Sequence, residues 1–327
     1  MTEVIKRRSF KLGDTGIRVL AFLIIIGVFA AINPVVLSLV NVFSIANTAS
    51  FLGIMSIAVM VVMITGNIDV SVTSIGLISA YSAIMVFLHF GIEEGGMVLM
   101  FVISGAVGII CGLINAFFVY KFNIPGIIVS LGTSQIYSSI LVVIFGLTHI
   151  NILPADMRML SRTILFRVET DLGHASIGVS VLIFIVSIVS VWFVLNKTMI
   201  GRGIYALGGD KVATARVGFN VPLVYSAAYA LMGFWAGIGG MIFYANATFF
   251  AGDYIQTELN NILGGVILGG VILQGGKGTV GGVVVGVLLL GLIRNNLYLI
   301  GIPAFAQRVT IGILLLVSVV FTYMKRK

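Results

Sequence analysis

From Arg18 to Asp69 the chain carries no charged side chain, and similar charge-free runs separate Asp69 from Glu93, Glu94 from Lys121, Lys121 from Asp156, Asp171 from Lys197, and Arg216 from Asp253. Each run holds the roughly 20 apolar residues that a helix needs to cross a bilayer. Soluble domains contain about 25% charged residues, whereas this chain contains 9%, with 59% hydrophobic. No soluble core of this length hides so much apolar surface. The fold class is therefore all-α and polytopic in a membrane, which excludes soluble enzymes, nucleic-acid binders and disulfide-knit secreted domains. Outer-membrane barrels are excluded too, because their strands alternate polar and apolar residues and these runs do not.

The 19 basic and 11 acidic residues give a net charge of +8. The basic residues are dispersed between apolar runs, so the charge reports topology and not a nucleic-acid footprint. Apolar runs and breakers predict ten spans, at 18–33, 51–66, 71–90, 97–119, 125–147, 177–196, 222–245, 260–275, 279–299 and 304–324. An even number puts both termini on one side, and the positive-inside rule makes that side cytoplasmic. Cytoplasmic segments then collect Lys6, Arg7, Arg8, Lys11 and Arg18, Lys121, the cluster Lys197, Arg202, Lys211 and Arg216, then Lys277 and Lys325, Arg326 and Lys327. The long external loop, 148–176, balances Arg158, Arg162 and Arg167 against Asp156, Glu169 and Asp171. The organisation is one transmembrane domain over 1–327, with a cytoplasmic tail at 1–17 and a cytoplasmic loop at 197–221. The basic start followed by an apolar stretch has the outline of a signal peptide, but no small-x-small cleavage site follows, so it reads as an uncleaved first span.

Some features do not fit simple rods. Residues 33–50 are too polar for a span and too apolar for a free loop, and read as a short helix at the outer interface. Gly66-Asn67-Ile68-Asp69 and Gly275-Gly276-Lys277-Gly278 each interrupt a long apolar stretch, predicting broken helices near 66–69 and 275–279. Irregular backbone at membrane depth survives where protein or water surrounds it, and interrupted segments often mark a substrate path. Short cytoplasmic turns are the other reading of both. Ser104, Gly108, Gly112 and Ala116 fall four apart, as do Gly233 and Gly237, and Gly282 and Gly286, which lets helix backbones approach closely.

Groups for catalysis are scarce, and the chain reads as a non-enzyme. His89, His149 and His174 are isolated, without the carboxylate or cysteine company of a metal site, so no metal is expected. Cys111 is the lone cysteine and reads as packing. A phosphate loop at 275–279 would need a glycine five residues before Gly276 and Ser or Thr directly after Lys277. Val271 and Gly278 stand there instead.

The loop from Asn196 to Val221 is too patterned for a mere connector. Gly208-Gly209 reads as a turn, Asp210 as a helix N-cap, and Lys211 to Val217 as two helical turns closed by Gly218. Such a surface helix is a docking knob; a solvated basic loop is the alternative.

Tyr205-Ala206-Leu207-Gly208-Gly209-Asp210, with Ala213, Ala215, Arg216 and Gly218-Phe219-Asn220-Val221, resembles the coupling segment of ABC-type sugar importer permeases of the ribose, xylose and arabinose class. The run Ile64-Thr65-Gly66-Asn67-Ile68-Asp69-Val70-Ser71-Val72 is similar to that family's G-G-I-D-L-S-V-G signature. Glu258-Leu259, Gly269-Gly270 and Gly275 to Thr279 are similar to its E-L-D and G-G-x-G-T elements, and Asn295-Asn296 and Gln307 complete the match. Asn67, Thr73 and Asn260 depart from the usual glycine, glycine and aspartate.

The resemblance implies a permease subunit in the cell (inner) membrane that pairs with a second permease copy, identical or homologous. It also implies a cytoplasmic ATPase, carrying ATP and Mg, docked at Gly208, Gly209, Asp210, Ala213, Arg216 and Gly218, and an external solute-binding protein. The chain itself would carry no cofactor. A sugar pathway would be lined by weakly hydrogen-bonding and aromatic groups, with Asn67, Asp69, Ser71, Thr73, Asn246, Thr248 and Phe249 as candidates. Nucleoside and branched-chain amino-acid permeases share the superfamily. A separate alternative is an ion-coupled carrier with Asp69 as its titrating group.

Overall fold

The computed structural model describes residues 14–313 apart from 93–94, 146–149, 253 and 304, together with residue 316. The element order is α1 (Asp14–Ile32), a 3-10 turn (Pro34–Leu37), α2 (Leu39–Ile64), α3 (Val72–Phe90), α4 (Met97–Phe122) and α5 (Gly126–Phe145). There follow α6 (Ala155–Arg162), the antiparallel pair β1 (Ile164–Thr170) and β2 (Gly173–Gly178), α7 (Val179–Lys197), α8 (Met199–Gly209) and α9 (Lys211–Arg216). The chain continues through α10 (Val221–Ala247), a 3-10 turn (Ile255–Glu258), α11 (Leu259–Leu268) and α12 (Val280–Leu299).

Seven helices among the described residues, α2, α3, α4, α5, α7, α10 and α12, are long and apolar enough to cross a membrane. Three of the ten expected spans are not among them. In α1 the apolar stretch with described side chains, Leu23–Ile32, is shorter than a span, and most of 304–324 lies outside the described residues, as do 1–13 and 325–327. The third is a correction: 260–275 is not one rod, because α11 stops after 10 residues, about 15 Å at 1.5 Å per residue. The expected interfacial helix at 33–50 is also corrected. Asn33 and Ser38 each cap a new element, with Asn33 Oδ1 accepting from the Val35 amide at 3.0 Å and Ser38 Oγ from the Asn41 amide at 3.2 Å. From Leu39 onward the chain is already inside the 26-residue α2.

A helix apolar on every side is stable only when surrounded, and α2 is buried along almost its whole length, whereas α4, α5 and α7 leave most of theirs uncovered. The small-residue stripes supply a close crossing, between α4 and α10. A Cβ on Gly108 would stand 2.1 Å from the Gly233 carbonyl oxygen, one on Gly112 would meet the Tyr229 oxygen at 2.2 Å, and one on Gly237 would meet that of Ser104 at 2.3 Å. Ser104 Oγ donates to the Gly237 carbonyl at 2.9 Å across the same seam. Here backbones touch because no side chain intervenes.

Within the expected loop 148–176, the described residues 150–176 are more structured than a loop. Asp156 of α6 accepts from the Gly95 and Gly96 amides at 3.2 and 2.7 Å, beside the start of α4. Asn47 of α2 clasps the hairpin, accepting from the Gly178 amide at 2.9 Å and donating to the Ser176 carbonyl at 2.8 Å. The hairpin thus caps the end of the bundle where α2 and α7 begin and α10 finishes; α8 and α9 lie at the opposite end.

Candidate functional site

At the α8–α9 end, Thr198 Oγ1 accepts from the Gly201 amide at 3.2 Å and starts α8. Gly208 and Gly209 are the last residues of that helix, so the expected turn at this pair is displaced to Asp210, whose backbone is extended. The Asp210 carboxylate accepts from the Val212 and Ala213 amides at 2.7 and 2.9 Å, the hydrogen bonds of an N-cap. The next helix is α9, six residues long, and Gly218 lies just beyond it with φ +92°. Val212, Ala213, Ala215, Arg216 and Val217 are exposed, giving a small knob with an apolar face and an exposed cation, Arg216. Lys211 anchors its base, donating to Asn123 beyond α4 and lying 5.7 Å over the Tyr225 ring.

Beneath α8 the two glycine breaks meet. The Gly276 amide donates to the Ile64 carbonyl at 2.8 Å. A Cβ on Gly208 would stand 1.9 Å from that same oxygen and 2.3 Å from the Gly276 nitrogen. Gly66 and Gly275 have φ +85° and +86°, and a Cβ on Gly275 would come 2.6 Å from the Gly66 Cα. Tyr205 Oη donates to the Gly278 carbonyl at 2.7 Å. Burial pushes the Tyr205 pKa up, so this donor keeps its proton at neutral pH. Three glycine clusters that stand apart in sequence form one main-chain junction.

The chain between α2 and α3 is held by side chains of α4 and α5. Asp69 is fully buried and accepts from the Ser71 amide at 2.8 Å, the Ser71 hydroxyl at 2.6 Å and Asn115 Nδ2 at 3.0 Å. Tyr137 Oη donates to Asn115 Oδ1 at 3.0 Å. Asn67 Oδ1 accepts from the Gly126 amide at 2.9 Å, and the Val70 amide donates to Ser130 Oγ at 3.1 Å. Thr73 is buried in the first turn of α3. Asn67, Asp69 and Ser71 therefore belong to a bracket that fixes the helix break, an arrangement short acidic and amide side chains favour. Sequence reasoning missed Asn115 and Tyr137, which complete the bracket from other helices.

The opposite end holds an open cavity of about 880 Å³. Its polar lining includes Asn47, Asn246, Glu258, Arg294, Asn295 and Gln307, and its rings are Phe51, Phe243, Tyr254 and Tyr298. Arg294 and Glu258 make a two-pronged ion pair, Nη1 to Oε2 at 2.9 Å and Nη2 to Oε1 at 3.0 Å. Of the candidate pathway residues, Asn246 lines this cavity. Thr248 ends α10 with φ +63°, and Phe249 stacks on Tyr254 with ring centroids 5.4 Å apart. Asn67, Asp69, Ser71 and Thr73 are not among its lining. The Arg294–Glu258 pair was not legible, because its halves lie on different elements and only the tertiary contact pairs them.

A bundle of membrane-crossing helices with a polar cavity at one end and a capped knob over broken helices at the other defines a multi-pass membrane transport subunit. Residues 41–319 match the family described as branched-chain amino acid transport system / permease component, and the chain belongs to it. It is 32% identical to a ribose import permease protein of Haemophilus influenzae, over 97% of this chain and 92% of that one. It is 29% identical to that of Escherichia coli K12, over 92% and 91%. To an autoinducer 2 import system permease protein of Yersinia enterocolitica it is 30% identical, over 94% and 81%. No solved structure gives a significant match. As a permease of this family the chain resides in the cell (inner) membrane.

Proposed function

We propose that the chain forms the translocation pathway of an ATP-driven importer for a sugar or sugar-like solute. The observation that carries this reading is the similarity to ribose import permeases along almost the whole of both chains. In this reading both termini and 197–221 are cytoplasmic, and 148–176 faces outward. The ten crossings are the seven long helices together with 18–33, the half-helix region 260–275 and 304–324. The chain 1–327 acts as one transmembrane permease domain beside a second permease subunit. An external binding protein delivers solute to the cavity end, and a cytoplasmic ATPase that holds ATP and Mg docks on the α9 knob.

Mechanism follows from the junction under α8. Closure of the ATPase displaces α9, and α8 moves with it because one extended residue, Asp210, joins them. The Gly208 contact with the Ile64 carbonyl and the Tyr205 bond to Gly278 carry that displacement to both helix breaks. The pathway then exchanges between outward and inward access, two states whose balance nucleotide biases. Affinity resides in the delivery protein, so the pathway itself needs only weak contacts.

The test is uptake by cells that express the permease together with its cognate ATPase and binding protein. ATP-dependent accumulation of D-ribose or another sugar is expected. Accumulation of L-leucine or a nucleoside without any sugar would replace the reading. Labelling of Lys211→Cys by a membrane-impermeant reagent should fail from outside intact cells, and strong labelling would overturn the topology.

A further inference from the structure

We infer that Arg294 and Glu258 form a subsite for neutral polyhydroxyl solutes inside the cavity, with the Phe243 and Tyr254 rings as its apolar wall. This rests on the sugar-import reading above. The Glu258 side chain is 11% exposed and that of Arg294 38%, so the guanidinium is the member that meets a cavity occupant. Asn261 Nδ2 donates to Glu258 Oε2 at 2.7 Å, the oxygen that also receives Arg294 Nη1. A guanidinium carries five N–H donors in a rigid fork. Two are spent on Glu258, and three remain for hydroxyl oxygens.

Stability does not account for the pair, because the cost of desolvating two charges commonly equals or exceeds their attraction. Its chemistry does suit a polyol. A carboxylate or phosphate would compete with Glu258 for the fork and meet its charge, and an ammonium would face Arg294. A neutral polyol uses the spare donors and leaves the pair intact. Phe243 lies 5.0 Å from Tyr254 and 4.7 Å from Phe51, centroid to centroid, with the rings tilted by 43° and 45°, an aromatic cluster whose exposed member, Tyr254, offers apolar contact to the C–H groups of a sugar. Apolar walls with a few placed polar groups are the usual build of a small-molecule site.

The experiment uses the full-length permease in lipid nanodiscs, with D-ribose, ribose 5-phosphate and L-leucine as probes in ligand-observed NMR. D-ribose is expected to give a saturable signal several-fold above the other two. Arg294→Lys keeps the charge but loses the fork, and Tyr254→Leu removes the wall; each should cut the D-ribose signal at least fivefold at unchanged membrane insertion. Glu258→Gln combined with Arg294→Gln should do the same, and if that double variant fails to insert, Arg294→Lys decides. Wild-type ribose binding by the variants, or equal binding of ribose 5-phosphate, overturns the subsite. Cells that take up D-ribose while Arg294→Lys binds normally would refute the subsite alone. Cells that take up no sugar would refute the import reading itself.

Discussion

The two ends of the bundle are built from opposite materials. At the α8 end, contacts run between main chains: Gly208 against Ile64, Gly276 against Ile64, Gly275 against Gly66. At the other end the chain exposes side chains to a cavity, with an ion pair, amides and four aromatic rings. A junction built chiefly of main-chain contacts has few rotamers to absorb a push, so a displacement of α8 is passed on. A cavity lined by long side chains adapts to what enters it. One end is suited to carry motion and the other to hold solute.

Variants at the junction should therefore impair transport without touching the cavity. Gly208→Val is expected to have the largest effect, because its Cβ alone would stand 1.9 Å from a carbonyl oxygen. Uptake should fall by more than about tenfold, the equivalent of ~1.4 kcal/mol, while NMR still detects D-ribose at the cavity. Wild-type uptake by this variant would break the contrast between the two ends.

Asp69→Asn probes the bracket beside the junction. Asn offers one acceptor oxygen where the carboxylate accepts three hydrogen bonds, and an orphaned buried donor costs about 1–3 kcal/mol. Partial uptake with an unchanged pH profile is expected. A proton-dependent uptake abolished by this one change would favour an ion-coupled carrier.

A smaller effect is expected from Asp210→Ala combined with Gly218→Val. Loss of the cap costs about 0.5–2 kcal/mol, and a side chain at φ +92° adds roughly 1 kcal/mol. Both lie outside the spanning helices, so insertion should be normal while ATPase stimulation and uptake by the reconstituted importer decline. Wild-type values for both would remove α9 from the coupling path.

Tyr205→Phe should be the mildest change. It deletes one hydrogen bond, worth about 0.5–1.5 kcal/mol, and leaves the ring in place. Uptake should drop a few-fold with no new pH dependence, because the raised pKa keeps the wild-type hydroxyl protonated. A loss as large as that of Gly208→Val would shift the main coupling contact from Gly208 to Tyr205.

Local chemistry decided what could be read without coordinates. Charge-free runs demand helices because hydrocarbon leaves no other partner for backbone polar groups, and six of the seven long helices were placed close to their observed limits. The Asp210 cap and the positive φ at Gly218 were legible because they depend on a few adjacent residues. The start of α2 was not, since the polarity of 38–50 argues against a buried span until Asn41 is seen bonded to Asn296 and Asn47 to the hairpin. The early stop of α11 was missed although its signal is local: Gly270 takes φ +76°, its amide donates to the Ile267 carbonyl at 2.8 Å and the Val271 amide to the Val266 carbonyl at 3.3 Å, a glycine stop at the helix C-terminus.

The sequence by itself determined the membrane class, most of the helices, the two breaks and the capped knob, because each follows from composition, periodicity or side chains within one turn of each other. Only the tertiary structure decided that Gly66, Gly208 and Gly275 meet, that Asp69 is held by Asn115, and that Glu258 and Arg294 face one cavity. Those pairings join residues far apart in the chain, and their geometry exists only once the helices have packed.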